Sequence, residues 1–267
     1  MARSPEGASV KSTDSGALAL ADALLPWAAA ALGPLLLWQG RSVRRRALKL
    51  PEAQGSREGE AGTGEVCLRL LIVGDSSAAG VGAATQEQAL AGCLARELAA
   101  ATGLRVRWQL LAQSGDGSAE ALRRLEAAQP RPADLMLAVL GVNDAVALRS
   151  PARWLADLER LDQLARRKAG VRYTLHTAVP PMQVFPLLPQ PLRGLLGWQA
   201  ARLNRALTRA LRGQHGRGLH AMPADWQGSA AGLMADDGFH PGPPGYRLWA
   251  RELARHLHDS GLAARLR

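Results

Sequence analysis

Cysteine is scarce in this chain of 267 residues, which contains only two. Cys67 lies at the start of a predicted strand and Cys93 within a predicted helix. Neither has a second cysteine or a histidine at the spacing of a metal site. The sequence therefore argues against a disulfide framework, and both thiols are predicted to be small buried side chains. We expect the protein to use neither a metal nor an organic cofactor.

Aromatic residues are also few, at 4% of the chain, although the net charge is strongly positive at +10. Almost all of the positive charge is arginine, and the arginines are spread over predicted helices. A base-reading module and an aromatic platform, the usual signs of nucleic-acid binding, are both missing from the sequence. We therefore expect no nucleic-acid partner, and an arginine-rich genome composition would account for most of the excess charge.

Lysine is missing from the glycine-rich residues 68–82, where a phosphate-binding loop would need Gly-Lys-Ser or Gly-Lys-Thr at its end. The Gly-x-Gly-x-x-Gly spacing of dinucleotide-binding folds is missing as well. The esterase elbow Gly-x-Ser-x-Gly is not matched either, because the glycines around Ser76 are Gly74 and Gly80. These absences argue against three common uses of a glycine-rich turn that follows a strand.

The same stretch does contain a short apolar run, residues 68–73, which ends in Gly74-Asp75-Ser76. An apolar run of this length, bounded by turn residues, predicts a strand buried on both faces of a parallel sheet. Ser76 then lies just beyond the carboxyl end of the strand, where open α/β sheets place their ligands. A serine there is either a nucleophile or part of an ordinary turn, and this stretch alone leaves both interpretations open.

The amino-terminal segment differs in composition from the rest of the chain. Residues 1–15 are small, polar and mixed in charge, which predicts disorder. Residues 16–40 are almost wholly apolar, with Asp22 as their only charge, and are long enough to cross a bilayer. Basic residues follow this segment, which favours a membrane anchor with the folded domain on the cytoplasmic side over a signal peptide or a periplasmic domain. Since prolines and a glycine interrupt the segment, a helix in the membrane interface or docked on the folded domain is the alternative.

Residues 41–64 are predicted to form a basic, flexible linker. Five basic residues come first, namely Arg41, Arg44, Arg45, Arg46 and Lys49. A stretch rich in glycine, glutamate, serine and alanine follows, without apolar periodicity. The folded domain is therefore predicted to span residues 65–267.

Predicted strands and helices alternate along this domain. The strands are predicted at 68–73, 105–112, 133–140, 171–179 and 218–222, and the helices at 86–101, 118–129, 151–168, 192–212 and 242–258. This alternation is typical of a parallel sheet covered by helices on both faces. The loop 180–191 is more apolar than a plain surface turn, so it either lines an acyl pocket or packs under the last helices.

Four loops at the carboxyl ends of strands or before the last helix hold the candidate functional residues. They are Gly74-Asp75-Ser76, Gln113-Ser114-Gly115-Asp116, Gly141-Val142-Asn143-Asp144 and Asp237-Gly238-Phe239-His240-Pro241. All four can converge on one edge of the sheet. In this order and spacing, the blocks resemble the four signature blocks of the SGNH hydrolases, the GDSL-type esterases and lipases, over residues 67–258.

The resemblance implies a three-layer α/β/α sandwich with a five-stranded parallel sheet in the flavodoxin-like order 2-1-3-4-5. It also implies that Ser76 is the nucleophile of a catalytic triad. A serine hydroxyl needs an adjacent base to take its proton, and His240 is the candidate. Asp237 can accept the other ring N–H of His240 and fix its tautomer. By itself, however, an Asp-x-x-His sequence is often a surface or capping pair.

The family pattern further implies an oxyanion hole formed by the backbone N–H groups of Ser76 and Gly115 and the side-chain amide of Asn143. Taken alone, Asn143 could be a helix cap and Gly115 a turn glycine. Asp75 and Asp144 are expected to brace loops through backbone hydrogen bonds. The other histidines lack a carboxylate at a telling spacing and are expected to be structural or solvated.

The predicted function is hydrolysis of carboxylic esters through a Ser–His–Asp acyl-enzyme, with lipid-derived or other acyl esters as substrates and thioesters next. Two alternatives stay open. The acyl group could pass to a sugar or another acceptor, which would make the protein an acyltransferase. The chain could also be a catalytically idle, membrane-tethered binding module. The sequence leaves the oligomeric state open.

Overall fold

The computed structural model describes residues 31–222 and 232–261. The strands in these ranges are β1 (Glu58–Ala61), β2 (Cys67–Gly74), β3 (Arg105–Ala112), β4 (Leu135–Val139), β5 (Tyr173–Thr177) and β6 (Arg217–His220). The helices are α1 (Gly33–Arg46), α2 (Ser76–Ala79), α3 (Leu90–Thr102), α4 (Ser118–Ala127), α5 (Val142–Val146), α6 (Pro151–Ala169), α7 (Leu192–Ala210) and α8 (Pro243–Asp259), and a 3₁₀ turn lies at Met182–Val184. All ten predicted strands and helices are therefore present, with their ends shifted by a few residues.

The strands form one sheet in the order β1-β3-β2-β4-β5-β6. Strands β2 to β6 run parallel, so the order 2-1-3-4-5 predicted for five parallel strands is confirmed. The prediction of only five strands is wrong, because β1 adds a sixth strand at the edge. This strand runs antiparallel to β3, with Glu58 opposite Gln109 and Ala61 opposite Val106.

The edge strand also corrects the predicted linker, residues 41–64, since α1 occupies its first residues and β1 its later ones. The sequence Glu-Gly-Glu-Ala of β1 has no apolar alternation that would predict a strand. Its position depends on contacts with β3 instead: a Cβ at Gly59 would lie 2.7 Å from the Trp108 ring, so only glycine lets the backbone pack there. Glu60 forms an ion pair with Arg107 on the exposed side.

The core lies on both faces of the sheet, as the apolar run at residues 70–73 of β2 predicts. Leu70 and Ile72 pack with α3 and α8 on one face. Leu71 and Val73 pack with α4, α6 and α7 on the other. Because β2 is central and covered on both sides, the turn that follows it is held in a fixed place at the carboxyl edge of the sheet.

Most of the predicted membrane segment, 16–40, and all of residues 1–15 lie outside the described residues. In the described part of the chain, no helix is long and apolar enough to span a bilayer. The end of the segment belongs to α1, which packs on the loop before α7 through Gln39. The Gln39 amide donates to the Gln190 carbonyl at 2.6 Å and accepts from the Leu192 N–H at 3.1 Å.

A buried histidine at the end of β6 makes stability depend on pH. Burial, with a smaller contribution from His256, lowers the pKa of His220 from 6.5 to about 4. The unfolded chain therefore binds the extra proton more readily between these pH values, so this residue lowers the free energy of unfolding as the pH falls from 6.5 toward 4.

We expect His220→Phe, which keeps an aromatic ring against His256, to lose less stability than the wild type on acidification. The measurement is urea unfolding of both proteins at pH 7 and pH 5. Comparing the two proteins cancels the titration of other groups. Equal losses of unfolding free energy would contradict the assignment of this pH dependence to His220.

Candidate active site

Ser76 is the first residue of the one-turn helix α2, directly beyond the carboxyl end of β2. Asp75 caps this helix, because its Oδ1 accepts from the Ser77 N–H at 2.9 Å. The Asp75 N–H in turn donates to the Val139 carbonyl at the end of β4. These bonds fix the turn against β4 and hold Ser76 at the sheet edge.

Gly74 lets this turn pass close to β4. A Cβ at position 74 would lie 2.6 Å from the Ala78 Cβ and 2.6 Å from the Val139 carbonyl oxygen. Both neighbours are buried parts of the backbone or short side chains, so neither can move aside at low cost.

We expect Gly74→Ala to destabilise the protein by about 1–3 kcal/mol through overpacking, as measured by urea unfolding. Gly40→Ala in α1 is the matched control, because a Cβ there meets nothing within 4 Å. The control is expected to be neutral or slightly stabilising. A Gly74→Ala protein as stable as the control would contradict this packing argument.

His240 and Asp237 lie in a tight turn before α8. The turn is closed by two backbone hydrogen bonds, from the Ala235 N–H to the His240 carbonyl at 2.8 Å and from the Gly238 N–H to the Ala235 carbonyl at 2.9 Å. His240 Nδ1 lies 2.6 Å from Asp237 Oδ2, and His240 Nε2 lies 2.8 Å from Ser76 Oγ. The three side chains thus form a continuous hydrogen-bonded chain.

The Asp237 carboxylate is buried, with 3% of its side chain exposed. Burial alone would raise its pKa, but hydrogen bonds from the His240 ring and from the backbone N–H groups of His240 and Phe239 outweigh burial. The pKa of Asp237 is therefore below its ordinary value. A carboxylate that stays charged beside Nδ1 favours the tautomer in which Nε2 faces the serine as an acceptor.

The predicted oxyanion donors come from three neighbouring loops. Among the described residues, the Ser76 and Gly115 N–H groups have no protein acceptor. Gly115 adopts φ +89°, and a Cβ on it would meet nothing within 4 Å, so the space beside its amide is open. Asn143 Nδ2 donates to the Asp116 carbonyl at 2.9 Å, which uses one of its two N–H bonds and fixes the amide group. Its second N–H bond remains for a ligand.

Two carboxylates support the loops from behind, in the position expected for bracing residues. Asp144 accepts from the N–H and the hydroxyl of Ser118, with the hydroxyl at 2.7 Å. The pKa of Asp75 is raised to about 7, mainly by burial and further by the negative charges of Asp144 and Asp116. The hydrogen bond from the Ser77 N–H acts in the opposite direction and lowers this pKa. Neither carboxylate is hydrogen-bonded to His240 in the described structure.

A mainly apolar pocket lies beside the serine turn. It is lined by Asp75, Ser77, Val139, Leu140, Val142, Thr177, Ala178, Pro180, Phe185, Met222, Phe239, Pro241 and Trp249. Phe185 and Phe239 meet edge to face with their ring centroids 5.1 Å apart, and Phe239 contacts the His240 ring in the same way. Phe185, in the apolar loop 180–191, lines this pocket and is also part of the core, where it packs with residues of α7. The sequence analysis assigned no functional role to Phe239, although its position directly before His240 indicates one.

The remaining histidines do not join this site. His176 Nε2 lies 3.1 Å from the buried Asp162, a carboxylate 14 residues away that the sequence spacing did not reveal. His220 stacks edge to face on His256 with centroids 5.3 Å apart. His258 is exposed on α8.

The arrangement provides what acyl transfer requires. A hydroxyl lies within hydrogen-bond reach of an imidazole, the imidazole is oriented by a buried carboxylate, and free N–H donors surround the same sheet edge. A mainly apolar pocket lies next to these groups.

Comparisons with known proteins give a consistent result. The sequence profile of the GDSL-like lipase/acylhydrolase family matches residues 72–248. A GDSL-like esterase of Mycobacterium tuberculosis is 31% identical over 201 residues, which cover 72% of this chain and 62% of that protein. The match thus spans less than two thirds of the relative's length.

Two solved structures extend the comparison. The crystal structure of TesA matches with a TM-score of 0.53 and 25% identity, over 71% of this chain and 97% of TesA. The esterase EstA from Pseudoalteromonas sp., solved with monoethylphosphonate as inhibitor, matches with a TM-score of 0.54 and 22% identity, over 72% of this chain and 97% of EstA. At this identity the EstA match supports the fold alone.

Proposed function

Because the chain belongs to the GDSL-like lipase/acylhydrolase family of SGNH hydrolases, we propose that it is a serine esterase that hydrolyses carboxylic esters. The observation that carries this proposal is the position of His240, with Nε2 2.8 Å from Ser76 Oγ and Nδ1 2.6 Å from Asp237 Oδ2. A serine hydroxyl paired with an oriented imidazole is the arrangement that activates an alcohol as a nucleophile.

In the first half-reaction, Ser76 Oγ attacks the acyl carbon and its proton passes to His240 Nε2. The carbonyl oxygen becomes an oxyanion, which the N–H groups of Ser76 and Gly115 and the Asn143 amide stabilise. His240 then gives its proton to the leaving alcohol oxygen as the ester C–O bond breaks. Asp237 stays ionised and holds the imidazolium in place.

In the second half-reaction, water takes the place of the alcohol. His240 Nε2 removes a proton from the water as its oxygen attacks the acyl-enzyme carbon. Collapse of the second tetrahedral intermediate breaks the bond to Ser76 Oγ, which takes the proton back from His240. The products are the carboxylic acid and the free enzyme.

The apolar pocket supports acyl esters with a hydrocarbon chain as substrates. Its walls include Leu140, Val142, Phe185 and Phe239, together with Asp75 and Ser77, the two residues on either side of Ser76. Each buried methylene group contributes about 0.8 kcal/mol. Two additional methylenes should therefore raise kcat/KM about 10-fold, so p-nitrophenyl butyrate is expected to be a better substrate than p-nitrophenyl acetate.

The test is product analysis with both p-nitrophenyl esters, in the presence and absence of glycerol or a sugar as acceptor. Release of free carboxylic acid as the main product, with butyrate preferred, would support the esterase proposal. Acylated acceptor as the main product would favour an acyltransferase. The absence of any turnover would favour the idle binding module.

We further propose that α1 binds an anionic lipid surface, which would keep the protein membrane-associated on the cytoplasmic side. Leu35, Leu37 and Trp38 are exposed on α1, with Leu37 at 62% and Trp38 at 59%. The last turn of the same helix holds Arg44, Arg45 and Arg46. Exposed apolar side chains followed by arginines are typical of helices that lie at an anionic membrane interface.

The lipid proposal is tested by co-sedimentation of the full chain with phosphatidylglycerol or phosphatidylcholine vesicles. Binding to phosphatidylglycerol is expected to be stronger and to fall severalfold in Trp38→Glu. Val66→Glu is the matched control, because Val66 is an exposed apolar residue that precedes β2. Equal binding of Trp38→Glu and the control would overturn the assignment to α1.

A further inference from the structure

A short segment before β1, residues 52–57, contacts both the helix that holds Ser76 and the loop that holds Gly115. This segment lies outside residues 72–248, which match the family. The Ala53 N–H donates to the Ala79 carbonyl at 3.3 Å, which ties the segment to the helix that begins with Ser76. One residue earlier, Glu52 Oε1 accepts from the Ser114 N–H at 2.7 Å, which ties it to the loop that holds Gly115. Glu52 therefore lies between the nucleophile helix and the oxyanion loop.

The oxyanion loop, defined here as residues 113–116, is held by a hydrogen bond at each residue except Gly115. The Gln113 N–H donates to the Gly74 carbonyl at 3.3 Å, and the Asp116 carbonyl accepts from Asn143 Nδ2 at 2.9 Å. Ser114 is exposed, and its N–H would face water without Glu52. The hydrogen bond to Glu52 thus holds the residue directly before Gly115. The Gly115 N–H itself has no acceptor in the described structure and is free to bind a ligand.

Glu52 is itself held in place by Arg57. One Arg57 nitrogen lies 2.5 Å from Glu52 Oε2, and another donates to the Ala112 carbonyl at the end of β3 at 2.5 Å. The Arg57 carbonyl accepts from the Leu110 N–H at 2.8 Å, so its backbone is fixed to β3 as well. The guanidinium also balances the negative charge of Glu52, which would otherwise oppose an oxyanion forming nearby.

The charge state of Glu52 fits this arrangement. Burial acts to raise its pKa, but the hydrogen bonds from Ser114 and the ion pair with Arg57 outweigh burial and lower it. The carboxylate is therefore charged at neutral pH, and a charged acceptor makes a stronger hydrogen bond to a backbone N–H than a neutral one.

We propose that Glu52, held by Arg57, is a positioning residue for the oxyanion hole, because its bond to the Ser114 N–H sets the orientation of the Gly115 amide. The proposal rests on the esterase function proposed above. Glu52 acts through Gly115 and does not touch the substrate. Loss of its acceptor frees the loop, so the Gly115 amide spends less time aimed at the oxyanion.

The experiment compares Glu52→Ala, Glu52→Gln and Glu60→Ala in the full chain, with p-nitrophenyl butyrate as substrate. Rates are divided by the number of active sites that a fluorophosphonate probe labels, so that misfolded protein does not count. Glu52→Gln keeps an oxygen acceptor for Ser114. Glu60→Ala is the control, because Glu60 lies on β1 and pairs with Arg107 on β3, and in the described structure it has no hydrogen bond or ion pair to the oxyanion loop.

Glu52→Ala is expected to lower kcat about 10-fold, part of the 10²–10³ that a full oxyanion donor contributes, with KM changed less than about twofold. Glu52→Gln and Glu60→Ala should stay near the wild-type kcat. The proposal would be overturned if Glu52→Ala had the wild-type kcat per labelled site, or if Glu52→Gln were as slow as Glu52→Ala.

If Glu52→Ala does not fold, Glu52→Asp replaces it, because its shorter side chain draws the acceptor away from Ser114. An unchanged kcat in Glu52→Asp would overturn the proposal equally. A wild type without esterase activity would instead reject the proposed function itself.

Discussion

Replacing Ser76 by alanine is expected to lower kcat for p-nitrophenyl ester hydrolysis by at least about 10⁴-fold. The substitution removes the only atom that can form the acyl-enzyme in the proposed mechanism. The fold should be kept, since the contacts that hold this turn belong to Asp75 and to the backbone. Steady-state kinetics test the loss of kcat, and the melting temperature of the same preparation tests whether the fold is kept.

Ser150→Ala is the matched control for that substitution. Ser150 caps α6, with its hydroxyl accepting from the Arg153 N–H at 3.4 Å. Its loss should cost about 1 kcal/mol of stability and leave kcat unchanged. A Ser76→Ala protein that retains more than a hundredth of the wild-type kcat would show that another residue is the nucleophile.

Asn143→Ala is expected to lower kcat by about 10²–10³, the typical cost of one oxyanion donor. The melting temperature should fall only modestly, because the substitution removes a single, partly buried hydrogen bond, the one to the Asp116 carbonyl. The KM for p-nitrophenyl butyrate should change little, since the second N–H bond of Asn143 acts mainly when the oxyanion forms.

Asn143→Asp sharpens this second test. The aspartate has nearly the same size, but its charged carboxylate has no N–H to donate and opposes the developing oxyanion. It is therefore expected to be at least as slow as Asn143→Ala at neutral pH. If Asn143→Asp keeps the wild-type kcat, Asn143 does not contribute to an oxyanion hole.

The central sheet was predictable because each of its parallel strands carries its own signal. Residues 70–73 and 135–140 are continuous apolar runs that each end at a glycine, which is the pattern of strands covered on both faces. The order of the strands came from the resemblance to a known family, since no periodicity sets which strand neighbours which. The position of the site at the carboxyl edge of the sheet then follows from the parallel topology.

The missed features depend on contacts between residues far apart in the chain. The strand β1 exists because Gly59 packs on Trp108, and neither residue predicts the other. Glu52 looks like a linker residue until its bond to Ser114, 62 residues later, is seen. Such contacts leave no local pattern in the sequence, so the predicted linker hid a segment that contacts the site.

The central claim is that Ser76 is activated by His240, and labelling with a fluorophosphonate tests it most directly. In this reaction Ser76 Oγ forms a bond to phosphorus and fluoride leaves, with the proton taken by His240. Mass spectrometry of the digested wild type should find the adduct on the peptide that contains Ser76. His240→Ala should label at least about 10²-fold more slowly, and the exposed His258→Ala should label like the wild type. An unlabelled wild type, an adduct on another residue, or labelling of His240→Ala at the wild-type rate would contradict the account.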